Sequence, residues 1–121
     1  MTVTLITLLK RRTGMTKADF IAYYEDHHRK IGEKVLSGYA TRYVRRFLHP
    51  ADGVDAHEDA DVVMEIDFPD AATRDACLAA MAEPAIAAEI AEDEAKLFDR
   101  ARIRTFKVEE RASVMPLSSP A

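Results

Sequence analysis

The hydrophobic pattern of this chain switches repeatedly between a period of two and a period of three to four, and each switch marks a change of element. Val3 to Lys10 is rich in leucine and β-branched residues and alternates weakly, as a strand buried on both faces does. Arg11 to Met15 is a basic turn that contains Gly14. Thr16 then offers an N-cap, Asp19 stands in the capping-box position, and Met15 and Phe20 are spaced as a hydrophobic staple. The apolar stripe that follows predicts a helix from Lys17 to about Leu36, stopped at Ser37-Gly38.

Period two returns from Tyr39 to His49. Tyr39, Thr41, Tyr43, Arg45 and Phe47 share one face; Ala40, Arg42, Val44, Arg46 and Leu48 share the other. Pro50 ends this strand, and Pro50 to Asp61 reads as a solvated acidic loop. Asp61 to Phe68 is a third strand, with Val62, Met64, Ile66 and Phe68 on one face. Pro69-Asp70 opens a helix through Met81, capped by Asp70, and Pro84 sits in the first turn of a further helical run to about Arg100. Ala101 to Glu110 is the last strand. The chain thus divides into one domain over residues 1–110 and a tail, 111–121, that is flexible or held by a partner subunit.

The order β-α-β-β-α-β is that of the ferredoxin-like α+β fold, a four-stranded antiparallel sheet with its helices on one face. The other sheet face is left uncovered. The second strand has apolar residues on both faces, Tyr43 and Phe47 against Val44 and Leu48. A second copy packed sheet to sheet, a homodimer, would cover them.

Composition narrows the function. The 121 residues suit a single domain that buries roughly 65% of the surface its unfolded chain exposes. The net charge of −4 and the lack of a basic stripe argue against a nucleic-acid partner. No apolar run is long enough to span a membrane, and the N-terminal run carries its positive charges after the apolar residues, the reverse of a secretory leader. With Cys77 alone no internal disulfide forms, which points to the cytoplasm. Four scattered glycines build no phosphate cradle for a nucleotide cofactor.

Two segments carry a family resemblance. The first runs from Leu9-Lys10-Arg11-Arg12-Thr13-Gly14-Met15-Thr16 through Phe20 and Tyr23-Tyr24 to His27-His28. The second is Asp93-Glu94-Ala95-Lys96-Leu97-Phe98-Asp99-Arg100, followed by Arg104-Thr105-Phe106-Lys107-Val108-Glu109-Glu110. Together they resemble the EthD-like family of the dimeric α/β-barrel superfamily. That resemblance implies a ferredoxin-like homodimer without cofactor. It implies dehydration, isomerisation or oxygenation of a small hydrophobic, aromatic or polyketide-like molecule, or a non-catalytic metabolite-binding or accessory role. A haem-binding relative, with an axial histidine, is a third possibility. Aligned on Tyr23-Tyr24, the family histidine falls at His28. The proline expected after it is replaced by Arg29-Lys30, and Tyr24 stands where tryptophan is commoner.

Histidine titrates near neutral pH, so a pair on a largely buried helix is a candidate proton-transfer site. With Phe20 at zero on a helical wheel of about 100° per residue, Tyr24 lies near 40°, His28 near 80° and His27 near −20°. Both histidines therefore flank the apolar stripe, and periodicity does not choose between them; the family pattern favours His28 as the proton carrier. Tyr24, Phe20, Tyr43 and His27 are the candidate substrate contacts, with the two tyrosines Tyr23 and Tyr24 otherwise core residues with polar tips. Arg42, Arg45 and Arg46 can hold an enolate oxygen or pair with a carboxylate such as Glu65 across strands. Asp93, Glu94 and Asp99 can orient a histidine or act as acid and base, and beside Arg100, Arg102 and Arg104 they also read as an ion-pair network. No metal site is expected. The loop group His49, Asp52, Asp55, His57, Glu58, Asp59 and Asp61 matches no ligand spacing, and Cys77 reads as an apolar filler.

Overall fold

The computed structural model describes residues 1–117. Strand β1 (Val3–Leu9) leads into a helical stretch made of α1 (Lys17–Tyr23), a π-helical segment (Tyr24–His28) and α2 (Arg29–Leu36). Strands β2 (Arg42–Phe47) and β3 (Val62–Phe68) follow, then α3 (Ala71–Met81), α4 (Pro84–Leu97), a 3₁₀ turn (Arg100–Arg102) and β4 (Arg104–Lys107). The sheet order is β2-β3-β1-β4, with every pair antiparallel. This is the ferredoxin-like α+β fold. None of the helices among the described residues is long and apolar enough to cross a membrane.

Local chemistry accounts for the element ends. Thr16 Oγ1 accepts from the Asp19 N–H (3.1 Å) and Asp70 Oδ1 from the Thr73 N–H (2.7 Å), each satisfying a donor the helix itself leaves unpaired. Gly14 and Gly38 adopt φ of 86° and 85°, the left-handed region that a side chain disfavours, at the turn before α1 and the stop after α2.

Three boundaries differ from the sequence pattern. β2 starts at Arg42 instead of Tyr39, because the Tyr39 and Ala40 N–H groups both bond to the Leu36 carbonyl (3.0 Å each) and finish the helix. The second helical run stops at Leu97, where Phe98 turns extended and Arg11 pairs with it as an isolated bridge. β4 covers only Arg104–Lys107, and Val108 to Leu117 is exposed without regular structure. The last four residues of the expected tail, 118–121, lie outside the described residues.

Register decides what each sheet face carries. Leu5 pairs with Ile66, Tyr43 with Ile66, and Phe47 with Val62, so Leu5, Thr7, Leu9, Val62, Met64, Ile66, Phe68, Tyr43, Arg45 and Phe47 face the helices. Two apolar clusters form against them. One gathers Leu9, Phe20, Tyr24, Val62, Leu97 and Phe98; the other Leu5, Leu36, Ile66, Phe68 and Cys77. Phe20 and Tyr24 are fully buried, and burial of a side chain of Phe size contributes about 1.5–3 kcal/mol. The opposite face is less apolar than the pattern suggests. Arg42 and Arg46 both clamp Glu65 (3.1 Å each) beside Asp67 and Thr4, which leaves Val44, Val63, Ile6, Leu8 and Phe106 as its apolar part.

The acidic loop also ends differently from its reading as wholly solvated. Asp61 is buried and accepts from the Arg11 N–H (2.9 Å), with Lys10 Nζ at 3.5 Å and Lys17 Nζ at 3.7 Å. This ion cluster pins the basic turn to the start of β3.

Candidate functional site

The π-helical segment positions the histidines. The Arg29 N–H bonds to the Tyr24 carbonyl, five residues back, where an α-helix would bond four back. A wider turn advances each residue by less than the ~100° of an α-helix. Over four steps His28 therefore rotates into line with Tyr24, and His27 rotates off the stripe. His28 is buried; His27 is exposed and lies against the Tyr23 ring at 4.7 Å. The structure thus does not bring His27 to either chamber beside His28.

A second element delivers His28's partner. The Arg12 N–H bonds to the Leu97 carbonyl and the Asp99 N–H to the Lys10 carbonyl (2.8 Å each), which ties the end of α4 to the turn after β1. α4 then lies along the π-helical segment with Asp93 facing it. Asp93 Oδ2 is 2.8 Å from His28 Nδ1, and Asp93 Oδ1 accepts from the Tyr23 hydroxyl at 2.5 Å. A carboxylate only accepts, so Nδ1 carries a proton, and in the neutral imidazole Nε2 presents the lone pair. Nε2 has no protein partner among the described residues. Burial, together with the hydrogen bond to Asp93, pushes the Tyr23 phenol up to about 12, so it stays a donor. The rings of Tyr24 and Phe98 each stand edge-on to the imidazole at 5.2 Å and fix its plane.

His28 opens onto two adjoining chambers that lie where the two apolar clusters meet. The larger, 170 Å³, is walled by Leu5, Thr7, Ile66, Phe98, Ile103 and Leu78. The smaller, 90 Å³, is walled by Ile31, Gly32, Val35, Tyr43 and Ile90. His28, Leu36, Met64, Ile66, Met81 and Glu94 border both. Among the described residues no lysine or arginine lines either chamber. Burial raises the Glu94 carboxyl above its ordinary range, against the opposing pull of His28 and of Arg100, whose Nε lies 3.5 Å away.

The other sequence candidates sort by depth. Tyr43 forms the wall of the smaller chamber. Tyr24 stands behind it, its hydroxyl 3.4 Å from that of Tyr43 and 3.5 Å from Met64 Sδ. Burial raises both phenols, Tyr24 well above the usual value. Phe20 sits deeper still, edge-on to Tyr24, Phe47 and Phe98, and supports the site without lining it. Arg45 is committed elsewhere: its guanidinium grips Glu25 at 2.8 and 3.0 Å over the Tyr43 ring.

Asp93 is the residue that sequence reasoning undervalued by grouping it with an arginine network. It touches none of those arginines; Glu94 is the one that meets Arg100. The signal was present in the spacing Ile86, Ile90, Asp93, Leu97, which sets a carboxylate on the inward stripe of α4.

Comparison with known proteins identifies the family. The model of the EthD domain matches residues 12–101, a span that contains both His28 and Asp93. The chain belongs to the EthD family. Solved structures similar to this EthD protein include an ethyl tert-butyl ether d (ethd) family protein of Bacillus halodurans, at 17% identity and a TM-score of 0.65, covering 92% of this chain and 100% of that one. A dimeric ferredoxin-like protein of unknown function from Bacteroides fragilis matches at 12% identity and 0.57, over 90% and 96% of the two chains. SnoaB of Streptomyces nogalater, described as a cofactor-independent oxygenase, matches at 13% and 0.56, over 93% and 96%. At these identities the likeness concerns the fold. No curated protein matches this EthD chain.

Proposed function

We propose that this EthD protein performs cofactor-independent acid–base chemistry on a small hydrophobic molecule, with His28 Nε2 as the base. The observation that carries the reading is the Tyr23–Asp93–His28 chain, which occupies Nδ1 and leaves Nε2 without a protein partner on a histidine that borders an apolar chamber. Dehydration, isomerisation and cofactor-free oxygenation share a first step, the removal of a proton beside a carbonyl. A positioned imidazole in a poorly hydrated space serves that step, with Tyr43 and Tyr24 as chamber wall and backing.

The working unit in this reading is a cytoplasmic homodimer. Ile6, Leu8, Val63 and Phe106 on the open sheet face give a second copy an apolar seat, and the Bacteroides fragilis neighbour is itself described as dimeric. The exposed Val114, Met115 and Leu117 suit a tail laid on the partner subunit.

Acetophenone, a single-ring ketone with exchangeable methyl hydrogens, tests the chemistry. Incubated with the protein in D₂O and followed by proton NMR, it is expected to lose methyl hydrogen faster with the wild type than with His28→Asn, by about 10²-fold or more. Circular dichroism checks that the variant is folded. Saturable binding with no exchange above buffer would instead support the carrier or accessory role.

A further inference from the structure

Glu94 is the one ionisable group besides His28 that borders both chambers among the described residues. It follows Asp93 directly on α4, so one helix turn supplies His28's orienting carboxylate and a second acidic residue that borders the same space. The remaining lining is apolar apart from hydroxyls, and it contains no cation to neutralise an anionic ligand. An anionic substrate would therefore find no cation in the lining itself, Arg100 lying outside it at 3.5 Å from Glu94 Oε1, whereas a neutral carbonyl compound would meet a hydrogen-bond donor in a protonated Glu94. Size narrows the class further. A cavity of about 150 Å³ holds benzene, so the 170 Å³ chamber takes one ring and the 90 Å³ branch a short substituent.

We infer that Glu94, in its protonated form, is the acid that binds the carbonyl oxygen of a neutral, single-ring ketone while His28 removes the adjacent proton. This rests on the reading of His28 as base. In the step, the Cα–H bond breaks and its proton joins Nε2; the electron pair forms the C=C bond; and the carbonyl oxygen takes the Glu94 proton. The products are an enol, an imidazolium and a carboxylate, and the reverse transfers restore the site. The groups facing Glu94 are His28 from the π-helical segment, Arg100 from the 3₁₀ turn and Asp93 on its own helix. Burial is the largest influence and favours the protonated form.

The experiment is vibrational spectroscopy of carbonyl-¹³C acetophenone titrated into the wild type, Glu94→Ala, Glu94→Gln and His28→Asn. A bound carbonyl band shifted to lower frequency is expected in the wild type at acidic pH, fading as pH rises through the Glu94 titration, which burial raises. Glu94→Ala should lose the shift. Glu94→Gln, which keeps an N–H donor, should retain a smaller shift that no longer follows pH. His28→Asn should keep it, because holding the ketone does not need the base. A shift that survives in Glu94→Ala, or that ignores pH in the wild type, assigns the donor to another residue and overturns the proposal. Absence of any saturable bound band overturns the ligand class. A correct band pattern without hydrogen exchange leaves the Glu94 assignment intact and removes only the reaction.

Discussion

Asp93 shows how much one side chain decides. Both of its oxygens are taken, one by His28 and one by Tyr23, and the first of these contacts sets which imidazole nitrogen is free. Asp93→Asn changes almost no volume, yet its amide nitrogen would face Nδ1 and force the proton onto Nε2. The same exchange in a Ser-His-Asp triad leaves the geometry intact and the histidine in the wrong tautomer. Exchange of acetophenone hydrogens is therefore expected to fall about 10²–10⁴-fold in Asp93→Asn, with the melting temperature little changed. The same variant should lower the titration of the Tyr23 phenol from about 12, read by ultraviolet absorbance. The sign is fixed by the raised value: the fold favours the neutral phenol, so this contribution to stability is complete below pH 10.0 and is lost as pH rises through about 12. An unchanged exchange rate would remove Asp93 from the mechanism.

At the scale of elements, α2 and β2 meet at a glycine. A Cβ on Gly32 would lie 2.6 Å from the Tyr43 Oη and 2.9 Å from two ring carbons. That contact explains glycine inside a helix, where alanine is intrinsically favoured by about 1 kcal/mol. Gly32→Ala is expected to lower the melting temperature despite this preference, because the Tyr43 ring must swing away from α2 and into the smaller chamber. Adding Tyr43→Phe should recover part of the loss, since Oη is the nearest atom. A single variant more stable than the wild type would show that the ring yields freely. The π-helical segment belongs to this scale too. The apolar stripe marked Lys17 to Leu36 as one helix and placed the caps at Thr16 and Gly38, but its regular period left the two histidines equivalent. The bulge that separates them lies within an otherwise continuous helix and answers to packing against β2 and α4, which a local pattern does not contain.

The whole molecule is organised by its two unlike sheet faces. The helix-covered face holds the chambers, and the open face divides into the Arg42–Glu65–Arg46 clamp and an apolar area around Ile6, Leu8, Val63 and Phe106. A stable pair of copies buries about 1,200–2,000 Å² in total, so the seat must extend beyond these side chains to the strands around them. Phe106→Glu places a charge in that seat and is expected to convert a dimer to monomers in sedimentation velocity, with the helix signal retained. A wild-type protein that sediments as a single subunit would refute the assembly.

Element order, the helix caps and the inward face of β3 were all determined by the sequence alone, because each depends on residues within a few positions of one another: Thr16 with Asp19, Asp70 with Thr73, and the alternation Val62, Met64, Ile66, Phe68. The site depended on groups far apart in the chain. His28 and Asp93 are 65 positions apart, and Tyr23 and Asp93 are 70. Their meeting requires α4 to be tied to the turn after β1 and the helix between them to widen by one residue. Only the packed fold imposes both conditions, because the energy that does so comes from burying Phe20, Tyr24, Leu97 and Phe98 together.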